Sequence, residues 1–123
     1  MQQGKIRRYL KHGTLPQLRV FEAVARHGSF TRAGEELHLA QPTVSVQIRK
    51  LTETVGLPLL EQIGRRVYPT HAGLKLYAAC EEIFRVLDGM EDELCTMRGT
   101  NSGSLRVELG VPALEAIAAG DVK

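Results

Sequence analysis

Apolar residues return along this chain in three successive rhythms. Leu15, Leu18, Val20, Phe21, Val24 and Ala25 fall at helical spacing, and Gly28 closes that run after Arg26 and His27. Thr14 offers a capping hydroxyl for this helix, and Pro16 is tolerated in its first turn. Ser29 offers a second cap, and residues 31–38 read as a short helix with Ala33 and Leu37 inside. Gly34 in its middle costs roughly 1 kcal/mol of helix propensity relative to alanine, which points to two backbones passing closely. After a brief turn of Leu39, Ala40, Gln41 and Pro42, entered through His38, which tolerates a left-handed backbone, a third helix is expected over 42–55 with Pro42 at its first position. Val44, Ile48, Leu51 and Val55 form its apolar stripe, and Gly56 stops it. Two short helices so joined, the second polar and uncharged at its start and basic further on, match a helix-turn-helix unit.

Beyond Gly56 the period shortens. Residues 57–62 and 66–68 read as two strands, with Ile63, Gly64 and Arg65 as the loop between them. A ribbon with an arginine-bearing tip in this place is the wing of a winged helix, or else an ordinary surface hairpin. From 70 to 98 the rhythm lengthens again. Leu76, Cys80, Ile83, Leu87, Met90, Leu94 and Met97 step alternately by four and three, the seam of a heptad repeat. That regularity predicts a helix–helix contact, with a second copy of the chain as the simplest partner. A helix packed on its own domain is the alternative, and Tyr77 and Phe84 widen the stripe towards it. Residues 99–103 have linker composition, and Leu105, Val107 and Leu109 alternate like a strand that cannot stand alone. The expected fold is mainly α. A basic arm (1–13) precedes a winged helix-turn-helix (14–69) and a long dimerisation helix (70–98). Residues 99–123 read as a linker and the cut-short start of another domain.

Composition narrows the function. With 43% apolar and 24% charged residues the chain is not of disordered type, and no apolar run approaches the ~20 residues that span a bilayer. The first thirteen residues lack the apolar stretch of a secretory signal, so a cytoplasmic location away from the membrane is expected. A net charge of +2 hides an asymmetry: residues 1–13 carry +4, residues 1–69 about +6 and residues 70–123 about −4. That distribution suits a polyanion at the front, although solvated faces give the same pattern. Cys80 and Cys95 lie ~22 Å apart on one helix, too far to bridge, and are expected as buried or interfacial apolar residues. No CxxC or HExxH occurs, so no metal or other cofactor is expected; nor is there a nucleophile or carboxylate pair to suggest an enzyme.

The motifs themselves carry a resemblance. Leu18-Arg19-Val20-Phe21-Glu22-Ala23-Val24-Ala25, Gly28-Ser29-Phe30-Thr31-Arg32-Ala33 and Ala40-Gln41-Pro42-Thr43-Val44-Ser45-Val46-Gln47-Ile48-Arg49-Lys50-Leu51 resemble the LysR-type transcriptional regulators. Gly56-Leu57-Pro58-Leu59-Leu60-Glu61, Gly64-Arg65-Arg66 and Thr70-His71-Ala72-Gly73 extend the match in order. The wording is most similar to regulators of carbon-fixation operons. The resemblance implies a winged helix-turn-helix that binds double-stranded DNA, and a linker helix that forms a homodimer. A full-length protein of this type leaves a tetramer open, and takes a small-molecule effector only if its effector domain is complete. Gly34, Leu60, Gln62 and Thr52 depart from the usual alanine, phenylalanine, arginine and glutamate, and Val46 replaces an arginine that often contacts DNA.

On this reading helix 42–55 enters the major groove and the wing, 62–68, the minor groove. Gln41 has the donor and acceptor to pair with adenine, unless it merely caps the helix; Pro42 and Thr43 offer apolar contact to a thymine methyl. Ser45 serves base or phosphate, and Thr31 and Gln47 join the DNA-facing set. Arg32, Arg49 and Lys50 are the phosphate candidates, with Arg49 alternatively pairing Glu53. Arg65 and Arg66 are the wing contacts, favouring narrow A·T-rich minor grooves. The competing reading is a protein-interaction module in which the long helix does the work.

Overall fold

The computed structural model describes residues 6–10 and 13–99. After a single 3-10 turn at Arg7–Tyr9 come α1 (Thr14–His27), α2 (Phe30–Leu37), α3 (Gln41–Val55), β1 (Leu60–Ile63), β2 (Arg66–Pro69) and α4 (His71–Arg98). The chain divides into one compact unit that runs through Glu81 and a second that begins at Glu82. The basic arm lies partly outside the described residues, and the strand expected at 104–109 and the start of a further domain lie wholly outside them.

In the first unit α1, α2 and α3 pack on one another around Phe21, Ala23 and Val24 of α1, Ala33 of α2, and Val44, Ile48 and Leu51 of α3. The helix ends follow their glycines: Gly28 (φ 69°) and Gly56 (φ 85°) are left-handed caps whose amides donate to Val24 O and Thr52 O. His38 takes the same role after α2 at φ 58°, as the residue type allowed. Gly34 is the close approach its position implied, since a Cβ there would fall 2.7 Å from Leu39 O.

Some local details differ from expectation. Left-handed Gly13, not Thr14, is the N-cap of α1; Thr14 is buried as the first helical residue. Leu15 is 47% exposed, because its position on the first turn points away from the α2–α3 side. The wing starts later than 57: Pro58 has no N–H to pair, Leu59 is consumed by the core, and β1 begins at Leu60. β1 and β2 are antiparallel with Ile63 opposite Arg66, leaving a two-residue connection of Gly64 (φ 68°) and Arg65.

Thr70 closes the unit. Its hydroxyl donates to Pro58 O at 2.7 Å and accepts from Gly73 N at 3.0 Å, which ties the segment before the wing to the first turn of α4. Gly73 passes so near Leu59 that a Cβ would run into the Leu59 carbonyl oxygen. About two turns further on, Cys80 is fully buried, its thiol directed to Leu18 O at 3.7 Å and pushed up to about 12 by that burial. This corrects the expected seam: Cys80 belongs to the core of its own domain and is closed to a partner. Leu76, on the same side, is half-buried.

In the second unit α4 continues with Ile83, Leu87 and Leu94 half-buried and Met90 and Met97 exposed at 47% and 44%. Val86, at 62%, is more exposed still and lies one turn before Met90. Heptad counting passed over it because it falls one residue off the four-three rhythm.

Candidate nucleic-acid interface

Two contacts fix the helix-turn-helix. Ser29 Oγ accepts from Arg32 N at 3.0 Å, capping α2 and setting the side from which Thr31 and Arg32 emerge. The second contact joins the two helices at their starts. The Thr31 hydroxyl donates to Gln41 Oε1 at 3.5 Å. Gln41 is the first residue of α3, its side-chain oxygen near the Thr31 hydroxyl, and the preceding Ala40 is extended (φ −70°, ψ 147°). Ala40 O accepts from Thr43 N and Val44 N, so the backbone closes the first turn and Gln41 is not needed as its cap.

Beyond the buried stripe of Val44, Ile48 and Leu51, α3 leaves Gln41, Pro42, Thr43, Ser45, Arg49, Lys50 and Glu53 exposed. At 100° per residue Pro42, Ser45, Val46, Arg49, Lys50 and, one turn further along, Glu53 share the outward side. Val46 is half-buried in the midst of them, an apolar patch flanked by hydroxyl and cationic groups. Gln47 is also half-buried and lies on the flank towards the core, apart from the others. Among the described residues Arg49 forms no ion pair with Glu53, and both side chains are exposed. On the wing Arg65 is exposed in the tip, where Gln62 Nε2 donates to Gly64 O at 3.4 Å. Arg66 points elsewhere, its guanidinium resting against Gly28 and 5.7 Å from the centre of the Tyr68 ring.

A charge network joins α1 to α2: Glu22 pairs with Arg19 and Arg26 at helical spacing within α1, whereas the link to Glu36 crosses between helices and has no spacing to announce it. Arg26 holds Glu22 through Nε (2.8 Å) and Nη2 (3.0 Å), and Glu36 through Nη1 (3.0 Å) and Nη2 (2.8 Å). His27 Nε2 lies 2.6 Å from Glu36 Oε1, and Arg19 comes within 3.6 Å of Glu22 and 3.8 Å of Glu36. Bidentate geometry on both sides makes Arg26 a strut between α1 and α2. Hydrogen bonds from Arg26 and then His27 hold the Glu36 carboxyl down at about 2, and the two carboxylates raise the Arg26 guanidinium. Among the described residues no group of His, Cys, Asp and Glu is arranged to hold a metal ion, and no helix is long and apolar enough to cross a membrane.

Residues 15–74 match the family described as bacterial regulatory helix-turn-helix protein, lysR family. A solved structure of the BenM DBD/catB site 1 DNA complex is 32% identical, with a TM-score of 0.60 over 86% of this chain and 96% of that one. The chain belongs to the lysR family. Among its LysR relatives, the RuBisCO operon transcriptional regulator of Acidithiobacillus ferrooxidans is 49% identical over 98 residues, covering 80% of this chain and 32% of that protein. The transcriptional activator CmpR of a Synechocystis strain is 47% identical over 98 residues, with the same coverage. This LysR chain thus spans about a third of the length of the curated relatives it matches. The first of these names agrees with the resemblance of the motifs to regulators of carbon-fixation operons.

Proposed function

We propose that this chain is the DNA-binding and linker portion of a transcriptional regulator that grips double-stranded DNA as a homodimer. The observation that carries the reading is the exposed side of α3, where Gln41, Pro42, Thr43, Ser45, Arg49 and Lys50 stand clear of the core formed by Val44, Ile48 and Leu51. α3 enters the major groove, where Gln41 reads adenine and Pro42, Thr43 and Ser45 add methyl and polar contacts. Arg32, Arg49 and Lys50 neutralise phosphates, and Arg65 inserts at the minor groove. Gln47, on the core side, has the weakest claim among these positions. The likeness to a DBD/DNA complex and the family match support this assignment.

Dimerisation proceeds through the apolar stripe of α4, with Val86 added to Leu76, Ile83, Leu87, Met90, Leu94 and Met97 and with Cys80 removed. A dimer reading two half-sites about doubles the discrimination of one short helix and fixes the half-site spacing. The location is cytoplasmic, the relatives point to a carbon-fixation operon as target, and a small-molecule effector belongs to a complete effector domain if the protein has one. Fluorescence anisotropy of a duplex across a salt series tests the reading. Tight binding that weakens steeply with salt is expected. A protein that binds no duplex at low salt would instead be an interaction module.

A further inference from the structure

The two wing arginines are adjacent in sequence yet leave the hairpin with different surroundings. Arg65 occupies the tip, while Arg66 opens β2 opposite Ile63. Strand alternation puts Arg66 and Tyr68 on one side of β2 and buried Val67 on the other. Arg66 Cζ lies 5.7 Å from the Tyr68 ring centre, within cation–π range. Its guanidinium also covers Gly28: a Cβ there would fall 2.7 Å from Arg66 Cζ and 2.8 Å from Nε and from Nη2.

Gly28 is the left-handed cap at the C-terminal end of α1, where the carbonyl groups of the last turn gather negative partial charge and favour a cation. The neighbouring Val67 N donates to Gly28 O at 3.1 Å, so backbone and side chain of β2 meet α1 at the same residue. A residue with a side chain at position 28 would fill the seat that the guanidinium occupies. Arg66 therefore has two neighbours within its own chain: the glycine that caps α1, and an aromatic face.

We infer that Arg66 is a positioning residue. It clamps the wing to the C-terminal end of α1, and so presents Arg65 to the duplex without touching phosphate itself. The inference rests on the DNA-binding reading above for its second half, and on packing alone for its first.

The test compares Arg65→Met, Arg66→Met, the double variant and Arg66→Lys, each by thermal unfolding and by duplex affinity across a salt series. Arg65→Met is expected to keep the wild-type Tm, weaken binding about tenfold and reduce the salt slope by about one. Arg66→Met is expected to lower Tm by about 4 °C and to weaken binding. In the double variant the loss of affinity should be no greater than with Arg65→Met alone, because Arg66 acts through Arg65. Arg66→Lys should behave like Arg66→Met, since a point charge on a flexible stem does not reproduce a planar group lying on a glycine and a ring. Additive affinity losses, a salt slope reduced by about two in the double variant, or full rescue by lysine would overturn the inference. So would an unchanged Tm in Arg66→Met. Failure of the DNA reading looks different, because wild-type protein would then bind no duplex while the Tm comparison still decides the clamp.

Discussion

The Thr31 hydroxyl and the Gln41 side-chain oxygen meet at 3.5 Å, joining the first turn of α2 to the first turn of α3. The contact uses one lone pair of the Gln41 oxygen and leaves its second lone pair and amide hydrogens for a base edge. Gln41→Ala should cost about 1–3 kcal/mol on the preferred duplex and little on random DNA. Thr31→Val should cost less, and nothing further once Gln41 is gone. Anisotropy on the two duplexes measures both; equal losses on both would make Gln41 a backbone contact instead.

Acid should loosen the α1–α2 strut. An unfolded chain protonates its glutamates near 4.5, whereas Glu36 in the fold keeps its charge down to about 2 because Arg26 and His27 hold it. Glu36 therefore adds stability above pH 4.5 that disappears as pH falls through the window from 4.5 to 2. Chemical denaturation at several pH values should show that decline in wild type and a flatter profile in Glu36→Gln.

Alanine at two glycines of α4 should act with opposite signs. Gly73→Ala drives a methyl into the Leu59 carbonyl oxygen and should destabilise by about 1–3 kcal/mol. Gly89, with nothing within 4 Å of its Cβ position, sits in a helix interior where alanine gains about 0.5–1 kcal/mol. Thermal unfolding checks the direction of each.

Val86 and Met90, one turn apart and both exposed, should decide the oligomeric state. Val86→Asp combined with Met90→Asp is expected to give monomers by sedimentation and to weaken operator binding by at least tenfold at fixed protein concentration. An intact dimer would move the interface to another face.

The two thiols should differ in reactivity. Cys80 is buried with its pKa near 12, whereas Cys95 is only half-buried, close to Glu91 and Arg98. Native protein treated with an alkylating reagent at pH 8 should lose the Cys95 thiol first and the Cys80 thiol only on unfolding.

Much of this was legible in the amino-acid order. Glycine stops after α1 and α3, the stripe of Val44, Ile48 and Leu51, and the tight passage at Gly34 all follow from local periodicity and backbone chemistry. What periodicity could not supply were contacts between distant segments. Cys80 and Met90 obey the same heptad rule, yet only the fold reveals that one lies beneath α1 and the other is open to solvent. The Arg26–Glu36 link and the seat of Arg66 on Gly28 likewise need two elements brought together, and neither has a spacing that would announce it. At the interface the exposed α3 residues were readable from the helical pattern, whereas the contact between Thr31 and Gln41 was not.

The paired network of Arg19, Arg26, Glu22 and Glu36 has a consequence for how an approaching polyelectrolyte feels this molecule. Two guanidinium groups and two carboxylates gathered within a few ångströms cancel one another beyond about a Debye length. That corner is electrically quiet despite its crowd of ions. Among the described residues Arg32, Arg49, Lys50 and Arg65 form no ion pair, so on the proposed DNA-binding reading the attraction left over has a direction and turns the protein as it draws it in.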